Sequence, residues 1–369
     1  MTDTSKMKKH HRAWILDAHL DLAMNALEWN RDLRQPISEI RKREKGMTDK
    51  LDREKGVVSL PALRRGRIGI VVATQIARYV KPGSELPGWN SPHQAWAQTQ
   101  GQLAWYRAME EEGEMVQIRN YDELVTHRKL WENQSIDDDD KPIGYILSLE
   151  GADSLITLEH LEKSYQDGLR IVGPAHYGPG RYADGTGTTG PLHPQGVRLL
   201  RKMDELKMIL DITHLTDQGF DQAMDVFGGP VWASHHNSRT LVSGQRQLTD
   251  EQIRQLIARG AVIGASFDVW MMVSGWVRGT SNRVKDGAPL ERIVDHWDHI
   301  CDIAGNTDHI AIGSDLDGAY GKEQSPYDLD TIADLQNLQD ILRRRGYSES
   351  DILKIMHDNG CRFLEKAWK

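Results

Sequence analysis

The segment at residues 17–21 combines side-chain types that bind metal ions in proteins. It reads Asp-Ala-His-Leu-Asp and directly follows an apolar run at 14–16. Alternate side chains of an extended strand point the same way, so Asp17, His19 and Asp21 share one face. A neutral imidazole beside carboxylates suits a divalent cation. Taken alone, the segment fits a polar turn capped by its two aspartates equally well.

Further metal-compatible residues follow the chain's other apolar runs. These runs are short and β-branched, which is typical of strands buried on both faces. They lie at 68–75, 143–149, 169–173, 208–213, 231–234, 261–267 and 309–314. The residues at or just after most of them are Glu150, His176, His214, His235 and Asp315. One histidine after a strand is usually structural, but such residues at several strand ends are poorly explained in that way.

Predicted helices separate these strands. Composition and periodicity place them near 93–112, 121–131, 152–166, 194–207, 216–227, 249–259, 288–303 and 328–345. Eight strands alternating with helices favour a single (β/α)8 TIM barrel over a doubly wound sheet. We expect one domain over residues 1–369, with insertions near 25–56 and 76–135, because no Gly/Ser-rich or Pro-rich linker divides the chain. The chemistry of such barrels lies at the carboxyl ends of the strands.

Composition excludes several classes of protein. The net charge of −8, from 46 basic and 54 acidic residues, gives no reason to expect nucleic acid or an anionic membrane as partner. Two cysteines, Cys301 and Cys361, cannot build a disulfide framework. Residues 1–12 are polar and basic, and the apolar run after them is interrupted at once by Asp17, so we expect no signal peptide and a cytoplasmic location. The charge-dense segment 31–56 and the acidic run 137–141 are predicted to be solvated.

The candidate residues suit zinc or a similar divalent ion. The histidines and carboxylates outnumber what one tetrahedral site needs. Two ions sharing Glu150 would use them all, and a water held between two such ions is acidic enough to be hydroxide near neutral pH. Competing chemistries lack their motifs, because Gly185-Thr186-Gly187 has no Walker lysine and no G-x-S-x-G elbow is present.

At these residues the sequence resembles the membrane (renal) dipeptidase family, peptidase family M19, of the amidohydrolase superfamily. The resemblance runs nearly end to end. The motifs that carry it are Asp17-Ala18-His19-Leu20-Asp21, Leu60-Pro61-Ala62-Leu63-Arg64-Arg65-Gly66, Glu150-Gly151-Ala152, Asp211-Ile212-Thr213-His214, Ser234-His235 and Gly313-Ser314-Asp315-Leu316-Asp317-Gly318. It implies a barrel of the metal-dependent hydrolase type, a metallo-dipeptidase, and possible homodimers.

The resemblance also implies a two-metal site. One metal ion would be bound by His19, Asp21 and Glu150. The second would be bound by Glu150, His214 and His235, with a hydroxide between the two ions. Zinc is the metal we expect at both positions.

The remaining roles likewise come from the resemblance. Asp315 would carry a proton from the attacking water to the leaving amine. His176 would stabilise the oxyanion, and Arg246 would bind the substrate's terminal carboxylate through a bidentate pair. Asp17 is expected to support the ligands, and Asn359 to have a structural role.

The sequence departs from the family on the substrate side. The segment 173–180 around His176 contains no asparagine, and 265–269 lacks the usual Asn-Phe-Tyr character. Asp268 could recognise a cationic group or cap a helix, and we favour the cap. Three tryptophans of the insertions could wall the pocket, although packing is the commoner role: Trp29, Trp89 and Trp96.

We therefore expect a zinc-dependent enzyme that hydrolyses the peptide bond of dipeptides. Two alternatives stay open. One is a related amidohydrolase acting on N-acyl amino acids or lactones, and the other is a barrel that binds a small molecule without catalysis. The preferred side chains and stereochemistry do not follow from the sequence.

Overall fold

The strands of the protein form one parallel barrel. A computed structural model describes residues 12–369. Residues 1–11 lie outside the described residues. They are part of the predicted domain and of the segment from which we expect no signal peptide. The strands are β1 (Ile15–Leu20), β2 (Ile68–Ile76), β3 (Met115–Gln117), β4 (Ile143–Glu150), β5 (Ile171–Gly173), β6 (Ile209–Asp211), β7 (Val231–Trp232), β8 (Ile263–Ala265) and β9 (Ile310–Ile312).

Helices connect nearly all of the strands. They are α1 (Leu22–Leu27), α2 (Ile37–Arg43), α3 (Leu60–Arg65), α4 (Pro92–Glu111), α5 (Tyr121–Glu132), α6 (Leu158–Gln166), α7 (Pro194–Glu205), α8 (Asp217–Val226), α9 (Asp250–Ala258), α10 (Val269–Met272), α11 (Arg292–Ala304), α12 (Leu338–Arg344), α13 (Glu349–Leu353) and α14 (Asn359–Ala367). No helix of the described chain is long and apolar enough to cross a membrane.

The strand order confirms the predicted barrel. The sheet runs β7-β6-β5-β4-β2-β1-β9-β8, and every pair of neighbours is parallel. A bridge between Ala233 and Ile263 joins β7 to β8 and nearly closes the circuit. The short strand β3, which sequence reasoning missed, pairs with β4 outside the eight barrel strands. The carboxyl ends of the eight strands therefore face one opening.

Burial explains why these segments are strands. All eight residues of β4 and the first eight of β2 are buried, because helices cover the outside of the barrel and side chains fill its inside. Close backbone contacts also require glycine at two positions where the barrel closes. A Cβ atom at Gly264 or Gly313 would lie 2.0 or 1.8 Å from the carbonyl oxygen of Ser234, so no other residue fits there.

Local signals set most helix starts close to where the sequence predicts them. Thr249 and Gln252 form a capping box at the start of α9, and Ser91 and Asn120 cap α4 and α5. The helices predicted at 194–207, 216–227 and 249–259 are confirmed to within two residues at each end. The segment predicted as one helix at 328–345 instead begins with a 3₁₀ turn at Ile332–Asn337 and continues as α12.

The prediction that segment 31–56 is solvated is wrong for its central charges. Arg31 lies 2.7 Å from Glu44 and 3.0 Å from Asp52, and Arg53 lies 2.8 Å from Glu44, all with side chains less than a tenth exposed. These charges are buried because each is paired and hydrogen-bonded. Asp317 also approaches Arg31, at 3.8 Å, and accepts hydrogen bonds from the backbone amides of Val57 and Val58, directly after the segment. The segment therefore anchors the loop after β9.

Candidate active site

The proposed first metal ligands lie together at the carboxyl ends of β1 and β4. His19 is inside β1 and Asp21 follows it, while Glu150 ends β4. The Nε2 atom of His19 lies 3.6 Å from Oε2 of Glu150 and 3.9 Å from Oδ2 of Asp21. Asp315, in the loop after β9, is 3.9 Å from the same nitrogen. Residues far apart in sequence are thus brought to one point, as the barrel predicts.

The other oxygen of Glu150 faces three histidines. Its Oε1 atom lies 3.1 Å from Nε2 of His214, 3.5 Å from Nε2 of His235 and 3.9 Å from Nε2 of His176. These histidines follow β6, β7 and β5. Glu150 therefore stands between two groups of nitrogen and oxygen donors, with one carboxylate oxygen toward each.

Hydroxyl groups hold the rings of the candidate ligand histidines from behind. Oγ1 of Thr186 lies 2.9 Å from Nδ1 of His214, and Oγ of Ser234 lies 2.8 Å from Nδ1 of His235. Such contacts orient an imidazole and leave its Nε2 directed at the site. Behind His19 the corresponding atom is Oγ1 of Thr74, at 3.5 Å.

Two aspartates tie neighbouring strand ends together beneath these side chains. Oδ1 of Asp17 accepts hydrogen bonds from the backbone amides of His19 and Ser314, and so links β1 to β9. Asp211 does the same between β6 and β7, through the amide groups of Thr213 and Ser234. Asp17 thus holds the backbone around His19, which is the supporting role expected from the sequence.

Two site residues have strained backbone. His214 and Asp315 lie in the left-handed region, with φ of 69° and 56°. After Asp315 the chain turns so tightly that a Cβ atom at Gly318 would lie 2.0 Å from Oδ1 of Asp315. The strain directs both side chains toward the centre of the barrel opening.

The pKa values of the site residues reflect their burial in one cluster of histidines and carboxylates. Burial raises the pKa of Glu150 to about 7 and that of Asp315 well above its usual range. Burial lowers the pKa of His214 and His235 well below the usual value. For His19, burial also lowers the pKa, but the carboxylates led by Glu150 outweigh it and raise the pKa to about 10.

The donor set fits divalent metal ions. Nε2 of His19 and Oδ1 of Asp21 are buried and have no hydrogen-bond partner among residues 12–369, although unpaired buried polar atoms are costly. Three groups of donors lie within 4.8 Å of one another: His19, Asp21 and Glu150; Glu150, His176 and His214; His19, His235 and Asp315. Imidazole nitrogens with carboxylate oxygens are typical ligands of zinc and of similar ions.

A cavity of about 470 Å³ opens above this cluster. Its walls are aromatic and apolar, with Trp29, Trp89, Trp270 and Tyr177 among them. Trp29 and Trp89 therefore line the cavity, contrary to the packing role favoured from the sequence. Trp96 instead packs edge-on against His160, which agrees with that role.

Two further predicted residues line the same cavity. Arg246 is almost fully buried and donates from Nη2 to the carbonyl oxygen of His235 at 3.1 Å. Its Nη1 atom is also buried and has no hydrogen-bond partner in the described part of the chain. Asp268 accepts a hydrogen bond from the amide of Trp270 and so caps α10, as we favoured. It also accepts from Gln324 at 3.0 Å, and burial raises its pKa to about 7.

Asn359, named from the resemblance, lies apart from the cavity, whereas Arg78, which the sequence analysis did not assign, lies in its wall. Asn359 donates to the carbonyl oxygens of Thr307 and Ile310 and has the structural role expected of it. Arg78, two residues past β2, lines the cavity and contacts Nδ1 of His176. The sequence analysis assigned a metal-compatible residue to the ends of most strands but none to the end of β2. This unassigned strand end was the sign that could have pointed to Arg78.

A parallel eight-stranded barrel with clustered imidazoles and carboxylates at its strand ends defines the metal-dependent hydrolase class. The chain belongs to the membrane dipeptidase family, peptidase family M19, whose model matches residues 5–369. The predicted family, the barrel and the assignment to the metallo-dipeptidases are thereby confirmed.

Individual relatives agree with the family. The chain is 30% identical over 240 residues to an uncharacterized protein of Klebsiella pneumoniae encoded 5′ of pqqA, covering 63% of this chain and 84% of that protein. It is 30% identical to the dipeptidase tcpJ of Claviceps purpurea over 61% of this chain and 52% of that protein, so the match spans about half of the fungal chain.

Solved structures share the whole fold. A crystal structure of the M19 metallopeptidase dipeptidase AC superposes with a TM-score of 0.75 at 24% identity, covering 97% of this chain and 99% of that one. A metallopeptidase of Rhodobacter sphaeroides, solved with a phosphinate mimic of the dipeptide L-Ala-D-Ala, has a TM-score of 0.75 at 22% identity, covering 97% and 100%.

Proposed function

We propose that the protein hydrolyses the peptide bond of dipeptides with two divalent metal ions, zinc at both positions. The observation that carries this proposal is the position of Glu150. One of its oxygens faces His19, and the other faces His214 and His235. A carboxylate in that position suits a ligand shared by two ions, with His19 and Asp21 completing one set and the two histidines the other.

The metal ions would supply Lewis acidity, which polarises a carbonyl group and lets water attack as hydroxide near neutral pH. The protein contributes the geometry. Buried donors with hydroxyl groups and aspartates behind them hold the site rigid, so that little rearrangement is needed during the reaction.

Asp315 is the proposed carrier of the proton. Its carboxylate lines the cavity and lies on the same side of Glu150 as His19. Burial raises the pKa of this carboxyl group, which favours holding a proton between two steps. Oδ1 of Asp315 would take the proton of the attacking water and return it to the leaving amine.

His176 and Arg246 are the proposed contacts to the substrate. Nε2 of His176 points into the cavity beside Glu150, at a suitable place to donate a hydrogen bond to the oxygen of the scissile carbonyl. The unpartnered Nη1 of Arg246 offers a buried donor for the substrate's terminal carboxylate. The cavity of about 470 Å³ is of a size for a small molecule such as a dipeptide.

The names of relatives support the same substrate class. The Claviceps purpurea relative is described as a dipeptidase, and the Rhodobacter sphaeroides structure contains a dipeptide mimic. Pairing of two chains, which the resemblance implies, stays a prediction.

The test is a substrate panel with the zinc-loaded protein. It compares L,L and L,D dipeptides with N-acetyl amino acids and lactones, before and after chelation. We expect hydrolysis of dipeptides that chelation abolishes and zinc restores. Turnover of only the N-acetyl amino acids or lactones would replace the dipeptidase proposal with the related amidohydrolase. No turnover together with well under one ion per chain would favour a binding protein.

A further inference from the structure

The four histidines around Glu150 differ in what lies behind their rings. Nδ1 of His214 contacts the hydroxyl of Thr186, and Nδ1 of His235 contacts the hydroxyl of Ser234. Nδ1 of His176 instead contacts the guanidinium group of Arg78. A hydroxyl oxygen can accept a hydrogen bond, whereas a guanidinium group can only donate.

A chain of hydroxyl groups gives His235 a partner that can accept a hydrogen bond. Oγ1 of Thr213 donates to Oδ1 of Asp211 at 2.7 Å. Its oxygen accepts from the backbone amide of Ser234 at 3.1 Å and lies 3.2 Å from the hydroxyl of Ser234. When that hydroxyl donates to Thr213, Oγ of Ser234 accepts from Nδ1–H of His235 at 2.8 Å. The lone pair of this ring is then on Nε2, which is the form that binds a metal.

The partner of His176 imposes the opposite tautomer. Since Arg78 donates, Nδ1 of His176 must accept and carries the lone pair. The proton of the neutral ring is then on Nε2, which lies 3.9 Å from Oε1 of Glu150 and faces the cavity. A ring nitrogen that carries a proton cannot bind a metal, but it can donate a hydrogen bond.

Arg78 is itself held in place. Its Nη1 donates to the carbonyl oxygen of Pro87 at 2.7 Å, and its own carbonyl oxygen accepts from the amide of Trp89 at 2.8 Å. The next residue, Tyr79, donates its amide to Asp153 at 3.1 Å. The loop after β2 thus fixes the guanidinium group against His176.

We propose that Arg78 is a positioning residue that fixes His176 as the Nε2–H tautomer, an obligate hydrogen-bond donor toward the scissile carbonyl oxygen and a non-ligand of the metal ions. This inference rests on the proposed function for the identity of the acceptor, but the tautomer itself follows from the contact with Arg78. It separates His176 from His19, His214 and His235, although the Nε2 atoms of all four lie within 4 Å of Glu150.

The direct test is nitrogen-15 NMR of the histidine rings in the zinc-loaded protein. Protonated and unprotonated ring nitrogens have well-separated shifts, and a His176→Gln variant assigns the signals. We expect Nε2 of His176 to carry the proton in the wild type and in Arg78→Lys, which keeps a donor. In Arg78→Glu, which offers only an acceptor, the proton should move to Nδ1. The same tautomer in all three proteins would overturn the proposal.

Kinetics supply a second readout. Loss of one oxyanion donor typically lowers kcat by roughly 100-fold or more. We therefore expect Arg78→Met to lower kcat by roughly 10- to 100-fold, with KM and metal content nearly unchanged. Arg78→Lys should recover part of the lost kcat. Arg259→Met is the matched control, because Arg259 is also half-buried and donates to three carbonyl oxygens, away from the cavity. It should leave kcat unchanged.

The outcomes separate this inference from the proposed function. A raised KM at unchanged kcat in Arg78→Met would overturn the positioning role and assign Arg78 to substrate binding. A wild type that cleaves no dipeptide would contradict the proposed function, and the NMR spectra would still report the tautomer of His176. A lone pair on Nε2 of His176 in the wild type would overturn the inference whatever the substrate.

Discussion

The two sides of the cavity are built differently. On the barrel side, Glu150 and the residues around it end parallel strands and are fixed by buried hydrogen bonds. On the outer side, the walls come from loops and short helices, and Trp29, Trp89 and Trp270 are among their residues. The barrel side carries most of the metal-compatible donors, whereas the outer side is largely apolar and aromatic.

This difference separates reactivity from selectivity. Strand ends are held by the whole barrel, so a change there alters the metal site and the reaction itself. Loops can vary without disturbing the barrel, so a change there alters which substrate is accepted. Variants on each side should therefore affect different quantities.

The largest effect is expected at Glu150. Glu150→Gln removes the charge of the carboxylate that faces both donor groups, so we expect loss of bound metal and of detectable turnover. Elemental analysis after dialysis and a dipeptide assay measure the two effects. Glu28→Gln is the control, because Glu28 is an acidic residue of the outer wall. This variant should keep its bound metal. Full metal content in Glu150→Gln would contradict the shared-ligand role.

Asp315→Asn should separate proton transfer from metal binding. General acid–base groups typically contribute about 10²- to 10⁴-fold, so kcat should fall by that factor. Metal content should stay near normal, because the proposed ligands are all retained. Unchanged kcat would remove Asp315 from the role of proton carrier.

Arg246→Ala should act on the substrate rather than on the reaction. Loss of a buried charged partner costs roughly 100-fold in binding, so KM for dipeptides with a free carboxylate should rise by about that factor. Carboxyl-amidated dipeptides serve as the control and should be affected little. Equal losses on both kinds of substrate would contradict the assignment.

Ser234→Ala tests the support of the barrel side. Without the hydroxyl group, Nδ1 of His235 loses its hydrogen-bond partner, and metal affinity should fall by about tenfold or more. Competition with a chromophoric chelator measures the affinity. An unchanged affinity would show that the backbone alone orients His235.

The smallest effect is expected at Asp268, on the outer side. Asparagine caps helices as well as aspartate does, so Asp268→Asn should change the free energy of unfolding little, and Asp268→Ala should lower it by about 1 kcal/mol. Denaturant unfolding checks both. If Asp268→Asn selectively loses turnover of dipeptides with a cationic side chain, Asp268 recognises that charge in addition to capping α10.

The same contrast explains what the sequence could predict. His19, Glu150 and His235 were found because each lies at or just after the end of a short apolar run, and the barrel brings such ends together. Arg78 was missed because its role depends on His176, 98 residues away. The buried charges of Arg31 and Glu44 were predicted to be solvated, since composition does not show which charges find partners.

The central claim is that Glu150 is shared by two metal ions. Crystals of the zinc-loaded protein, measured on both sides of the zinc absorption edge, locate the ions directly. We predict two anomalous peaks per chain, one on each side of the Glu150 carboxylate. A single peak, or peaks that do not contact Glu150, would contradict the account.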